Sequence, residues 1–199
     1  MSLTAAQLLS SSALAGSFFL FGDIATQYIH NRPSPATKSD QPSALSTWDS
    51  ERTAKMAAFG FGVNGWYFLS AFQILDKVIG PAKTLRLATI KAVANQIIFV
   101  PPYSAGFLYY SAAYVHTKPI PGVAAVSPWD SMVQKFPTVF ATGCLIWPAV
   151  NVISFRFVSP GLPRVALMNT VGLCWTTYLA GVAASSGTMS SGLDEEAYL

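Results

Sequence analysis

Five stretches of this 199-residue chain contain no Asp, Glu, Lys or Arg: Met1 to Gly22, Met56 to Leu75, Ala92 to Thr117, Phe136 to Phe155 and Val165 to Leu193. A helix needs about 20 consecutive apolar residues to cross the hydrocarbon core of a bilayer, so each stretch is long enough to span. Charge is confined to what lies between them, in the clusters Arg32/Lys38/Arg52/Lys55, Lys77/Lys83/Arg86/Lys91, Lys118/Lys135 and Arg156/Arg164, and in the closing Asp194, Glu195 and Glu196. Only 11% of the residues are charged, against roughly 25% in a soluble domain, and a sphere this small has too much surface to cover with so few. The fold class that follows is all-α: a polytopic transmembrane helical bundle with four to five membrane helices. It forms a single membrane-embedded domain over residues 1–185, with a loop at 32–49, followed by a polar acidic C-terminal tail at 186–199.

The helices can be placed from their ends. The first runs from about Thr4 to Ile29 and closes in the polar series Asp23, Gln27, His30. Pro33, Pro35 and Pro42 then mark a loop, because proline cannot donate in a helix interior. A second helix starts at an Asp49 or Ser50 N-cap and passes Leu75, with Asp76, Lys77, Gly80 and Pro81 closing it. Ala54, Ala58 and Gly62 recur every four residues along it, a stripe of small side chains that lets a neighbouring helix approach closely. The third, about Lys83 to Tyr114, carries Pro101-Pro102 and is expected to kink or split there. The fourth runs from Trp129 to about Phe157 with Trp147-Pro148 inside it, a packing feature, and the fifth from about Arg164 to Ala184.

Several functions are disfavoured. Net charge is +3 and the cations are scattered, which does not suit nucleic acid. No phosphate loop, nucleophile elbow, paired-Cys zinc pattern or His-Glu-x-x-His motif occurs, so no enzyme chemistry, metal or cofactor is expected. Cys144 and Cys174 lie in apolar stretches and read as core residues rather than a disulfide. No basic region precedes the first apolar stretch, so neither a cleaved secretory signal nor an Arg-rich transit peptide is expected. With five spans each side carries six Lys and Arg, which leaves orientation open.

Polar groups inside apolar stretches are costly and so are informative. Asp23 and Gln27 share a helix face, either lining a polar passage or forming a helix-end pair with a cation. Lys91 and Asn95 share another, with Gln96 beside them and the double proline just beyond. Polar side chains and interrupted backbone thus coincide, as a water-lined pore or as interhelical hydrogen bonding. Arg156 and Arg164 flank a Pro-Gly-Leu-Pro turn, suited to anchoring lipid phosphates or to a basic pore mouth.

Gly22-Asp23 with Gln27, Arg52 and Met56, then Gly60, Gly65-Trp66-Tyr67 and Leu75-Asp76, followed by Lys91, Gln96 and Pro101, occur in a recognisable order. So do Trp147-Pro148-Ala149-Val150, Phe155, Val158, Pro160, Arg164, Trp175 and Tyr178-Leu179. Together they resemble the Mpv-seventeen and twenty-two-kilodalton peroxisomal membrane protein family over nearly the whole chain, with Asn95 where that family usually carries Asp. The resemblance implies a small protein of the mitochondrial inner membrane, or alternatively of the peroxisomal membrane. It also implies a channel-like role in passing small hydrophilic solutes or metabolites. Pore-lining candidates are then Asp23, Gln27, Lys91, Asn95, Gln96, Arg156 and Arg164, and helix-packing residues are Ala54, Ala58, Gly62, Trp147 and Pro148. The partners expected are the lipid bilayer, small solutes and a second copy in a homo-oligomer. The alternative is a membrane scaffold or organelle-organising protein that assembles through the small-residue face.

Overall fold

A computed structural model describes residues 4–30, 48–115 and 126–175. The acidic tail at 186–199 and most of the loop at 32–49 lie outside the described residues, as do Tyr178 and Leu179.

Five helical runs follow one another. Helix α1 is Ala5–His30. Helix α2 comprises Ser50–Phe59, a π turn at Gly60–Asn64 and Gly65–Ile79. Helix α3 comprises Leu85–Ala94, a π turn at Asn95–Phe99, Val100–Tyr110 and a π turn at Ser111–Val115. Helix α4 is Pro128–Phe157, and α5 covers residues 162–175 of the described chain. The starts have ordinary chemical causes. Asp49 accepts from the Arg52 N–H at 3.0 Å, Thr84 from Leu87 at 3.3 Å and Ser127 from Asp130 at 3.1 Å, each satisfying an otherwise orphaned first-turn donor. Helix α2 ends at Gly80, whose φ of 87° is a conformation other residues adopt at a cost.

The double proline does not split α3. At the π turn just before it, the Val100 N–H reaches back five residues to the Asn95 carbonyl. This resets the ladder, so Pro101 and Pro102 fall in the first turn of a fresh α segment, where a missing N–H costs least. Tyr67 of α2 donates its hydroxyl to the Phe99 carbonyl at 2.8 Å, tying the second helix to this irregular stretch. In α4, Pro137 and Pro148 are likewise carried inside a continuous helix.

What is buried differs from a soluble protein. Among the described residues the largest fully buried side chains are Lys91, Val165, Asn95, Asn151, Ser11 and Ser154, and buried polar residues slightly outnumber buried apolar ones. On the outside, Leu145 is 80% exposed and Val78 77%. Lys is almost never fully buried in a water-soluble domain, and such large apolar side chains turn outward by preference only where the surroundings are apolar. Helices α1 and α4 are each long and apolar enough to cross a membrane as single α-helices; α2 and α3 reach comparable length through their π turns. The molecule is a transmembrane helical bundle.

Packing pairs α1 with α2 and α3 with α4. Two glycines set the first contact. A side chain at Gly65 would meet Ser12 Cα at 2.5 Å and Ser11 O at 2.6 Å, and one at Gly60 would meet Phe19 Cβ at 2.8 Å. The two backbones therefore touch, and Ser11 Oγ donates to the Gly65 carbonyl at 2.8 Å. The Ala54/Ala58/Gly62 stripe does not make this contact: all three are exposed, and nothing lies within 4 Å of where a Gly62 side chain would start. Rings of α2 and α3 interleave along their length, with Phe59 against Phe107 at 5.3 Å and Phe68 against Tyr103 at 4.6 Å between centroids.

Candidate functional site

Three polar assemblies lie inside this apolar shell. The first joins the end of α1 to the start of α2. The Asp23 carboxylate, almost fully buried, accepts from Arg52 Nε at 2.9 Å, Thr53 Oγ1 at 2.7 Å and Gln27 Nε2 at 2.6 Å. Gln27 also donates to the Asp49 carbonyl at 3.1 Å and accepts from the Asp49 N–H at 2.7 Å. Trp48 Nε1 donates to Thr53 Oγ1 at 3.0 Å. A buried carboxylate is tolerated when its lone pairs are filled in this way. Asp23 and Gln27, read from sequence as candidates for a lining, are instead occupied by the α1–α2 junction. Of the two readings open in the sequence, the geometry realises the helix-end pair with a cation, Arg52.

The second assembly lies at the opposite end of the bundle. Asp76, near the end of α2, pairs with Lys91 of α3 through one oxygen and with Arg164 of α5, at 2.9 Å, through the other. Lys91 is 0% exposed and Arg164 3%. Two cations share one carboxylate, and the surplus positive charge rests on aromatic faces. The Arg164 guanidinium lies 4.8 Å from the Phe155 ring centroid and 5.9 Å from that of Phe72, and Lys91 Nζ lies 5.6 Å from Phe155. Arg164 was a candidate anchor or pore-mouth residue; the structure buries it. Asp76, which the sequence offered only as a helix-closing residue, is the centre of the group.

The third assembly is a polar seam between α3 and α4. Lys91, Asn95 and Gln96 come from α3, Asn151 and Ser154 from α4, and all five are buried. Four side-chain atoms here, Asn95 Oδ1, Gln96 Oε1, Asn151 Oδ1 and Ser154 Oγ, have no hydrogen-bond partner among the described residues, and neither does Arg164 Nε next to the ion triad. Gln96 Nε2 has only the weak acceptor Cys144 Sγ at 3.3 Å, while Asn151 Nδ2 donates to the Trp147 carbonyl of its own helix at 2.9 Å. A buried polar atom left unpaired costs about 1–3 kcal/mol, so a cluster of them is a departure that needs a cause. Nearby, Asn64 of the α2 π turn accepts from Tyr103 at 2.7 Å and donates to Asn169 of α5 at 3.0 Å. The structure thus brings together Lys91, Asn95 and Gln96 as the sequence proposed, and adds Asn151, Ser154 and the Asn64–Asn169 link.

The remaining candidates fall elsewhere. Arg156 is exposed at the end of α4, 5.3 Å from the Phe157 ring. Trp147 packs across Gly143 and edge-on to Trp175 at 6.2 Å, in keeping with a packing role beside Pro148. Cys144 and Cys174 are free and exposed, so they are surface residues of their helices and not core.

Comparison with known proteins gives these features a family. The profile of the Mpv17 / PMP22 family matches residues 124–180, which take in α4 and the described part of α5. The chain is 31% identical to PXMP2/4 family protein 4 of Dictyostelium discoideum over 69% of its own length and 70% of the relative's. It is 29% identical to mitochondrial inner membrane protein Mpv17 of Xenopus laevis over 86% and 87%, and 30% identical to the protein of that name from Bos taurus over 83% and 84%. No solved structure matches the chain significantly. Identity spread over most of both lengths, together with an apolar bundle built around buried polar groups, establishes the assignment that the ordered motifs suggested: the chain belongs to the Mpv17 / PMP22 family of membrane proteins.

Proposed function

We propose that the protein provides a route for small hydrophilic solutes or metabolites along the α3–α4 seam, without enzyme chemistry. The membrane is the mitochondrial inner membrane, as in the relatives that carry it in their names. One observation carries the reading: four polar atoms on facing helices that have no partner among the described residues, where hydrocarbon could satisfy none of them. Water or a polar solute would supply the missing hydrogen bonds, and Lys91 at the end of the row would be solvated by the same path. Interhelical adhesion alone accounts for the seam less well, because an adhesive contact pairs its donors and acceptors. The test is flux: purified protein in liposomes should raise the permeability to small polar solutes, and Asn95→Leu and Asn151→Leu should each lower it severalfold. Permeability equal to that of protein-free liposomes would end this reading.

A second reading is a scaffold role by self-assembly. The Ala54/Ala58/Gly62 stripe supports it, since all three residues are exposed and nothing among the described residues lies within 4 Å of where a Gly62 side chain would start. Crosslinking in the native membrane should then weaken in Gly62→Leu, a change with no predicted effect on the fold; unaltered crosslinking would remove the stripe from consideration.

A further inference from the structure

Among the described residues the two ends of the bundle differ in charge, and the difference is not evident from composition. The contacts of Asp76 with Lys91 and Arg164, and of Phe155 with both cations, put the end of α2, the start of α3, the end of α4 and the start of α5 at one end. Among the described residues this end carries six Lys and Arg against the lone carboxylate of Asp76. Lys91 and Arg164 are taken up by the buried triad. Lys77, Lys83, Arg86 and Arg156 are exposed, and none of them makes an ion pair among the described residues. Among the described residues of the opposite end, the cations Arg52, Lys55 and Lys135 are accompanied by Asp23, Asp49, Glu51 and Asp130, with Arg52 paired to Asp23 and Lys55 to Glu51 at 2.6 Å.

We propose that the Lys77/Lys83/Arg86/Arg156 end is a docking surface for anionic phospholipid headgroups. The four cations do not converge on one pocket; they stand at three helix termini and the connection between two of them, each a place where a separate headgroup can reach. Exposed apolar side chains stand beside them. Leu85 adjoins Arg86, and Phe157, 73% exposed, adjoins Arg156, whose guanidinium lies over its ring. Cation and apolar surface alternating at a helix end is the arrangement a lipid matches with phosphate above and acyl chain below. A free phosphate would use only half of it. Each cation near an anionic surface contributes about 1 kcal/mol, roughly a fivefold change in affinity, so several acting together give a measurable preference.

The full-length protein in neutral detergent, titrated with phosphatidylglycerol or phosphatidylcholine and read by native mass spectrometry, tests this. Retention of phosphatidylglycerol should exceed that of phosphatidylcholine at least about tenfold. K77Q/K83Q/R86Q/R156Q should abolish the preference, and K83Q/R86Q alone should reduce it, whereas K55Q/K135Q at the opposite end should leave it in place. All six positions are on the surface, and an unchanged melting temperature would confirm that each variant folds. A preference surviving in the quadruple variant, an equal loss in K55Q/K135Q, or displacement of the lipid by an equal concentration of inorganic phosphate would overturn the proposal.

Discussion

Asp76→Asn is expected to destabilise the protein by about 3–5 kcal/mol, the usual consequence of removing one partner from a buried ionic group. The change preserves size and removes the carboxylate charge that Lys91 and Arg164, both of them buried, share. Aromatic faces cannot replace it, since each cation–π contact contributes on the order of 2 kcal/mol even when desolvated. The opposite change should behave differently. Lys91→Met leaves Arg164 paired one-to-one with Asp76, so its cost should be far smaller, and adding it to Asp76→Asn should recover part of the loss because one stranded cation is removed. Denaturant or thermal unfolding in detergent would measure all three. Equal stability of Asp76→Asn and the parent protein would mean that the triad does not hold these helices together.

The second large effect should come from a single methyl group. Gly65→Ala would place Cβ 2.5 Å from Ser12 Cα and 2.6 Å from Ser11 O. Both obstacles are backbone, so no rotamer change relieves them and α1 must move away from α2, breaking the Ser11–Gly65 hydrogen bond. Overpacking usually costs about 1–3 kcal/mol, and this case belongs at the upper end of that range or beyond it. Faster amide exchange in α1 and a lowered melting temperature are the expected readouts. A Gly65→Ala protein that melts with the parent would show that the α1–α2 contact does not depend on the missing side chain at this position.

Much of this architecture was written in charge. The gaps between charged residues located all five helices, and the boundaries differ mainly where chemistry beyond hydropathy acts: α2 continues through Asp76 and Lys77 to Ile79 because it stops at the left-handed Gly80 and not at the first charge. Asp49 was legible as an N-cap, since a carboxylate before a run of helix formers has few other uses there. The ion triad was not. Asp76 and Arg164 are 88 positions apart, and no local pattern announces a pairing that exists only when α2 meets α5. The closest approach of α1 to α2 was not legible in the small-residue stripe for a related reason. Spacing identifies a face that can be approached, but the closest approach was made by Gly60 and Gly65, whose neighbours Ser11, Ser12 and Phe19 come from another helix. Asn95 and Gln96 were identified because amides in an apolar stretch are conspicuous; Ser154, small and helix-compatible, was not.

The π turns at Gly60–Asn64 and Asn95–Phe99 each accommodate one residue more than an α-helix of the same rise, and each carries buried amides: Asn64 in one, Asn95 and Gln96 in the other. Because one residue corresponds to about 100° around a helix, an Asn95–Phe99 stretch wound as ordinary α-helix with its full complement of residues would swing everything after it by more than a quarter revolution. Tyr103, which now bonds Asn64, and the rings of Phe107 and Tyr110, which now meet Phe59, would be carried off the second helix together. The π turn thus keeps both halves of the helix in register, and a one-residue deletion inside it should do less harm than the same deletion in the α segment that follows.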